Sequence, residues 1–350
     1  MFSGLYNIQS PNFLSNPVSF IHGARALLPV LAVYISIIWI FATRSRFPFF
    51  KVPVGLLFYY CLIGIATSLF LSPDTLTSLY WAGIYLSPLL VVWIALENPN
   101  SLNLLRRLIS LNYIMVIIVT VSLLPEALNI ARGRLPLDQF YNLPFNLGQI
   151  RSNGVGRFAL VTIIVSFIRL ITQTKKTRFL WLLLIFPSLF LLALSQSRTA
   201  LLGLAVAGVL YAYLKGINWR FFFVGPVTTY IIWLSGFQWR LEGKIEKLIY
   251  LTGREETWQK GIEQIKHSPF LGWGFHADRI LLQSEHMHNS YLHAMIQSGL
   301  FGAIFFLAAI SGIWYLIFRT QLLKRVRMTH GAENAELMES ILILGFLTER

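Results

Sequence analysis

Charge is scarce in this chain, and negative charge scarcer still. Asp and Glu number 15 among 350 residues, and charged residues of both signs make up 13%, against about 25% in soluble globular domains. So few charges exclude a water-soluble fold of this length. One cysteine, Cys61, excludes an internal disulfide and a multi-thiolate metal site; its apolar surroundings make it a packing residue. The N-terminal stretch MFSGLYNIQSPNFLSNPVSFIHG has no Lys or Arg ahead of an apolar run, which excludes a signal peptide and leaves membrane insertion to the first span itself. The long apolar runs hold almost no ionisable group and no mid-membrane carboxylate. That argues against an ion-coupled transporter, which needs intramembrane acids.

What the chain has is apolar length: 55% of its residues are hydrophobic. Runs such as ALLPVLAVYISIIWIFA (residues 26–42) and LISLNYIMVIIVTVSLL (108–124) approach the ~20 residues that cross a hydrocarbon core of about 30 Å. In lipid the backbone must satisfy its own polar groups, so these runs are helices. The expected class is an all-α polytopic membrane protein with about nine or ten transmembrane helices. Spans are expected at residues 26–43, 52–71, 77–96, 108–124, 156–172, 179–194, 199–214, 221–236 and 291–318. A tenth begins at Ser340, but ILILGFLTER is too short to complete it, consistent with a truncated product.

Basic residues outnumber acids, for a formal charge of +14. They lie in short scattered clusters without the aromatic-interleaved stripe of a nucleic-acid face, so anionic lipid or an anionic substrate accounts for them better. RSRFPFFK, LLRR, KKTR, KGINWR and RTQLLKRVR fall at every second connection, which places those connections in the cytoplasm. This register leaves the N-terminus outside. The chain then divides into N-terminal helices (1–124), a first outer loop (125–155), central helices (156–236), a large outer loop (237–290) and C-terminal helices (291–350). Within the large loop, REETWQKGIEQI places Trp258, Ile262 and Ile265 at helical spacing, which predicts an amphipathic helix on or near the outer surface. HSPFLGWGF ends it.

With the spans nearly free of charge, chemistry belongs at the outer rim. Arg169 is close enough to a cytoplasmic end to snorkel. Arg198 stands in a three-to-five residue outer turn, against the local charge bias, and is either a lipid-phosphate anchor or a bidentate phosphate ligand. Arg254 opens the surface helix, either as a phosphate seat at a helix N-terminus or as a partner of Glu255 or Glu256. Arg151 and Arg157 flank a Gly-rich turn at the outer end of the fifth span and are weaker candidates of the same kind. His286, His288 and His293 lead into the ninth span, in SEHMHNSYLHAM. An HxH without a carboxylate or thiolate at helical offset is a weak metal signal. Two other readings stay open: a polar cap with Asn289 or Ser290 as N-cap, and a general base. For the latter, a helix N-terminus and nearby arginines keep His288 neutral. His293, five residues on, belongs to a different helix face.

SQSRTALLGL, TGREETWQKGIEQIKHSPFLGWGF and HNSYLHAMIQSGLFGAIFFL, in this order with spans between, resemble the O-antigen ligase and polymerase family over residues 151–318. The resemblance implies a glycosyltransferase C-like helical bundle in the bacterial inner membrane with a periplasmic site. It also implies transfer of a glycan from an undecaprenyl pyrophosphate carrier to an acceptor hydroxyl, on a lipid A core sugar (ligase) or on a second carrier-linked repeat unit (polymerase). Neither metal nor nucleotide sugar nor other cofactor is implied. Arg198 and Arg254 look like the family's two pyrophosphate-binding arginines, and His288, before Asn289, like its base. A lipid-linked glycan flippase or exporter is the rival reading, but it needs a hydrophilic path that these spans do not offer. A structural subunit gives no reason for the arginine and histidine motifs.

Overall fold

The structure, a computed structural model, describes residues 17–43, 53–135, 140–143, 149–172, 175–215, 254–283, 287, 289–319 and 338–344. The expected eighth span, 221–236, lies outside the described residues. The described chain is helical apart from one short antiparallel pair: α1 (Pro17–Thr43), α2 (Val54–Phe70), α3 (Thr75–Glu97), α4 (Ser101–Ser122), α5 (Leu124–Ala131), β1 (Phe140–Asn142), β2 (Gln149–Arg151), α6 (Ser152–Thr172), α7 (Lys175–Ser195), α8 (Arg198–Lys215), α9 (Arg254–His267), α10 (Ala277–Leu281) and α11 (Ser290–Arg319). A further stretch, α12, covers residues 338–344. Among the described residues, five helical segments are long and apolar enough to cross a membrane: Thr75–Glu97, Asn103–Ala131, Ser152–Thr172, Thr177–Ser195 and Ser290–Arg319. Leu27–Thr43, Val54–Phe70 and Thr199–Tyr213 are shorter apolar helices. The chain is an all-α, multi-pass membrane protein. The short α2–α3 connection shows how a local sequence ends one span and starts the next. Pro73 cannot continue α2, and Asp74 caps α3 by accepting a hydrogen bond from Thr77 N at 3.1 Å.

Two compact units divide the chain: Met1–His22 with Arg106–Gly225 and Thr320–Arg350, and Gly23–Leu105 with Pro226–Arg319. In the first, α6 is the central helix, packed by α7 and α8, and Thr120 of α4 shares a 3.0 Å hydrogen bond with Thr162 of α6. Two expectations change here. The fifth span starts at Ser152 rather than at Gly156, so Gly154 and Gly156 are helical. Before it stand α5 and two antiparallel strands that pair Phe140 with Arg151 and Tyr141 with Ile150. Arg169 does not snorkel: its Nε and Nη2 donate to Glu339 Oε1 and Oε2 at 2.6 and 3.0 Å. Glu339 belongs to α12, remote in sequence, and no local pattern announces the pair.

In the second unit α2 lies against α3 and α11, around a core of Tyr60, Cys61, Ala82, Phe275, Ala294 and Ala303. Cys61 is buried there as a small apolar side chain. The expected ninth span is a broken helix. At Gly299 the backbone turns to φ 60°, ψ −165°, a conformation open essentially to glycine alone. The Pro269–Gly274 segment fills the break: Leu300 N and Phe301 N donate to Pro269 O and Phe270 O (2.8 and 3.2 Å), and Trp273 N and Gly274 N to Ile296 O and Gln297 O (2.9 and 2.8 Å). A Cβ on Gly272 would stand 2.5 Å from Gly299 N, so the two glycines allow this close approach. These four backbone groups thus find partners, as a break near lipid requires. The piece from Leu300 to Arg319, about 20 residues or ~30 Å, is long enough to cross alone, which leaves Ser290–Ser298 as a separate helical segment before it.

The alternation of basic connections predicts opposite sides for the α6–α7 connection and the segment before α11. With Cys61→Ala as background, cysteines introduced at Thr177 and Ser284 should react with an impermeant maleimide from opposite faces of sealed vesicles. Labelling from one face would overturn the orientation.

Candidate functional site

The first unit supplies three of the candidate arginines. α7 ends at Ser195 and α8 starts at Arg198, so the turn has two residues, not three to five. Gln196 takes φ 49°, and Ser197, fully buried, is the N-cap, its Oγ 3.4 Å from Ala200 N. Arg198 is therefore the first residue of α8. Gly156 of α6 lies directly against this turn: a Cβ there would be 2.5 Å from Ser197 Cβ and 2.8 Å from Ser195 Oγ. The next residue, Arg157, has its Nε buried with no hydrogen-bond partner among the described residues. A buried guanidinium N–H without a partner is costly, which makes Arg157 a stronger candidate for an anion ligand than its sequence context indicated. Arg151, exposed in β2, does not share that setting. Beside α6, Glu126 and Asn142 form a 3.4 Å hydrogen bond. Burial, then the nearby Glu126 carboxylate, raises the pKa of Tyr141 above the ordinary phenol value.

The second unit holds Arg254, Asn289 and the histidines. Arg254 is the first residue of α9, followed by Glu255 and Glu256, and Glu256 pairs with Lys260 one turn on at 3.0 Å. The helix is amphipathic as expected but packs inward. Trp258 Nε1 donates to Met287 O at 2.5 Å; Ile265 joins Leu282, Met287 and Ile296 in a buried cluster; Gly261 lies tight against the Met287 side chain. Ile262 does not join this face and is 41% exposed. Only a glycine at 261 lets Met287 approach so closely, which shifts the buried stripe by one position.

His286 and His288 lie outside the described residues, but the residues on either side of His288 are described. Met287 is fully buried and held by Trp258. Asn289 is the N-cap of α11, its Oδ1 accepting from Tyr291 N (3.0 Å) and Leu292 N (3.1 Å). His293 is where sequence reasoning fell short. Its Nε2 stands 3.1 Å from Asp278 Oδ1 and 2.8 Å from Gln297 Nε2, and the Asp278 side chain is wholly buried. The carboxylate comes from α10, fifteen residues back, where no helical offset finds it. His276 was passed over too: it takes φ 66° and stacks on Trp81 at 4.4 Å between centroids and 8° between planes. Its one sequence signal is GWGF immediately before it.

Residues 182–307 match the family model described as O-antigen ligase. The matched segment holds Arg198, Arg254, Asp278, His288, Asn289 and His293, and leaves out Arg151 and Arg157. No curated protein matches the chain, and no solved structure does. Over that segment the chain is similar to the O-antigen ligase and polymerase family.

Proposed function

We infer that a chain carrying the O-antigen ligase segment over residues 182–307 transfers a glycan from an undecaprenyl pyrophosphate carrier to an acceptor hydroxyl, at the periplasmic face of the bacterial inner membrane and without a metal ion. The acceptor oxygen attacks the anomeric carbon, the bond from that carbon to the phosphate oxygen breaks, and the carrier leaves as its pyrophosphate. The hydroxyl proton passes to the imidazole of His288. Pyrophosphate is a good leaving group, so the protein has two tasks: stabilising the departing anion and taking one proton.

One observation carries the reading. Arg198 and Arg254 are each the first residue of a helix, where a cation opposes the helix macrodipole by about 0.3–1 kcal/mol. An anion reverses that sign, because the same N-terminus presents unpaired backbone N–H groups and the guanidinium adds a two-pronged donor. Arg157, beside the Arg198 turn with an unpartnered Nε, is a third ligand of this kind. A ligase acceptor, the core sugar of lipid A, is the primary reading, and a second carrier-linked repeat unit, as in a polymerase, the alternative.

The test is glycan transfer by purified variants from a defined undecaprenyl pyrophosphate donor. Arg198→Lys and Arg254→Lys should each lose most activity at unchanged expression, because an ammonium cannot reproduce the planar fork. Full activity of either variant would return that arginine to a lipid-anchoring role.

A further inference from the structure

The second unit buries a polar chain that the proposed chemistry leaves unused. Asp278 of α10 meets His293 of α11 at 3.1 Å, and His293 meets Gln297 at 2.8 Å. Gln297 Oε1 accepts from Tyr60 OH of α2 at 2.7 Å, and Tyr85 of α3 also hydrogen-bonds Gln297. The Gln297 backbone is held as well: its carbonyl accepts from Thr67 Oγ1 at 3.1 Å and from Gly274 N at 2.8 Å. A carboxylate with no exposed surface costs several kcal/mol to desolvate, and apolar residues of the same volume would fill this space at least as well for stability. What apolar residues lack is direction. Hydrogen bonds fix the rotation and height of the segment Ser290–Ser298 against α2 and α10, and the Gly299 break frees that segment from the span below it. His293 N also donates to Asn289 O at 2.9 Å, so the ordered chain runs up to the residue that follows His288.

We propose that Asp278, His293 and Gln297 are positioning residues that hold Asn289 and the start of α11 for deprotonation of the acceptor hydroxyl, an inference that rests on His288 being the base. One imidazole nitrogen faces a carboxylate and an amide at once, so the pair must share a proton correctly. Set against a buried carboxylate, His293 Nε2 carries the proton and donates it to Asp278 Oδ1, while the Gln297 side chain packs against the same edge of the ring. Titratable groups on the elements packed around it include Tyr60 and Cys61 of α2, Tyr85 of α3, Arg279 of α10 with His276 just before it, and Glu263 and Lys266 of α9.

The experiment uses the full chain in nanodiscs, with a defined undecaprenyl pyrophosphate donor, and reads kcat, donor affinity, the pH–rate profile and amide exchange over residues 287–293. Asp278→Asn and His293→Gln should each lower kcat about 10- to 100-fold, the scale of an ångström-level misplacement. Donor affinity should stay within about twofold, and the double variant should be little worse than either single one. Losing the buried anion makes nearby imidazolium less favourable, so in Asp278→Asn the acidic limb should move down by about one pH unit. Amide exchange at 287–293 should rise at least about tenfold in both single variants, a readout that needs no catalysis. Unchanged exchange and an unchanged pH profile would overturn the proposal, as would kcat, donor affinity and thermal stability falling together. If Asp278→Asn does not fold, His293→Gln carries the same readouts. The two readings fail separately: a normal rate in His288→Ala sinks the base, whereas a dead His288→Ala beside a normal Asp278→Asn sinks the positioning chain alone.

Discussion

His288→Ala is expected to abolish glycan transfer while leaving the lipid-linked donor bound. In the proposed reaction the donor is held through its pyrophosphate by guanidinium groups, and none of that binding passes through an imidazole. The acceptor hydroxyl, in contrast, must lose its proton as its oxygen bonds to the anomeric carbon, and a positioned base contributes about 10² to 10⁴ in rate. Substitution of His286 should be milder, since the family-like HN pair belongs to His288 and Asn289. A base works only when unprotonated, so wild-type activity should fall as pH drops through the His288 titration, and chelators should leave it unchanged. Near-normal transfer by purified His288→Ala, or activity lost to a chelator and restored by zinc, would end the general-base proposal.

The second large effect is on stability, in the first unit. Glu339→Ala should destabilise the protein by about 3–5 kcal/mol, because it strands the Arg169 guanidinium beside apolar helices. Both oxygens of Glu339 are engaged at 2.6 and 3.0 Å, and its side chain is wholly buried. The paired replacement Arg169→Met with Glu339→Leu is the sharper test. It removes both desolvation costs along with the attraction, so its stability should return to the wild-type level or exceed it. Denaturation of the detergent-solubilised protein reads both variants. A harmless Glu339→Ala would mean that Arg169 reaches water after all, the snorkelling arrangement its sequence position suggests.

The sequence alone determined the membrane class and where the apolar helices of the described residues lie. The reason is physical: crossing hydrocarbon needs a continuous apolar run whatever else the chain does, and a helix start leaves a local mark. Thus Asn289 is the cap and Arg254 opens a helix, both as expected. Arg198 likewise sits at a turn between two spans, though a shorter one. What only tertiary structure decided are contacts between residues far apart in sequence. Gly299 looks like any small residue in an apolar run until the Pro269–Gly274 segment is seen filling the break beneath it. Arg169 looks like a snorkelling cation until Glu339 arrives from 170 positions away. Asp278 and His293 belong to separate elements, and fifteen residues of intervening turn carry no period that would predict a hydrogen bond between them. Periodicity reports which face of a helix is apolar; which partner meets that face is set by the packing of the whole unit, where a buried charge is tolerated only if its counterpart arrives in the same place.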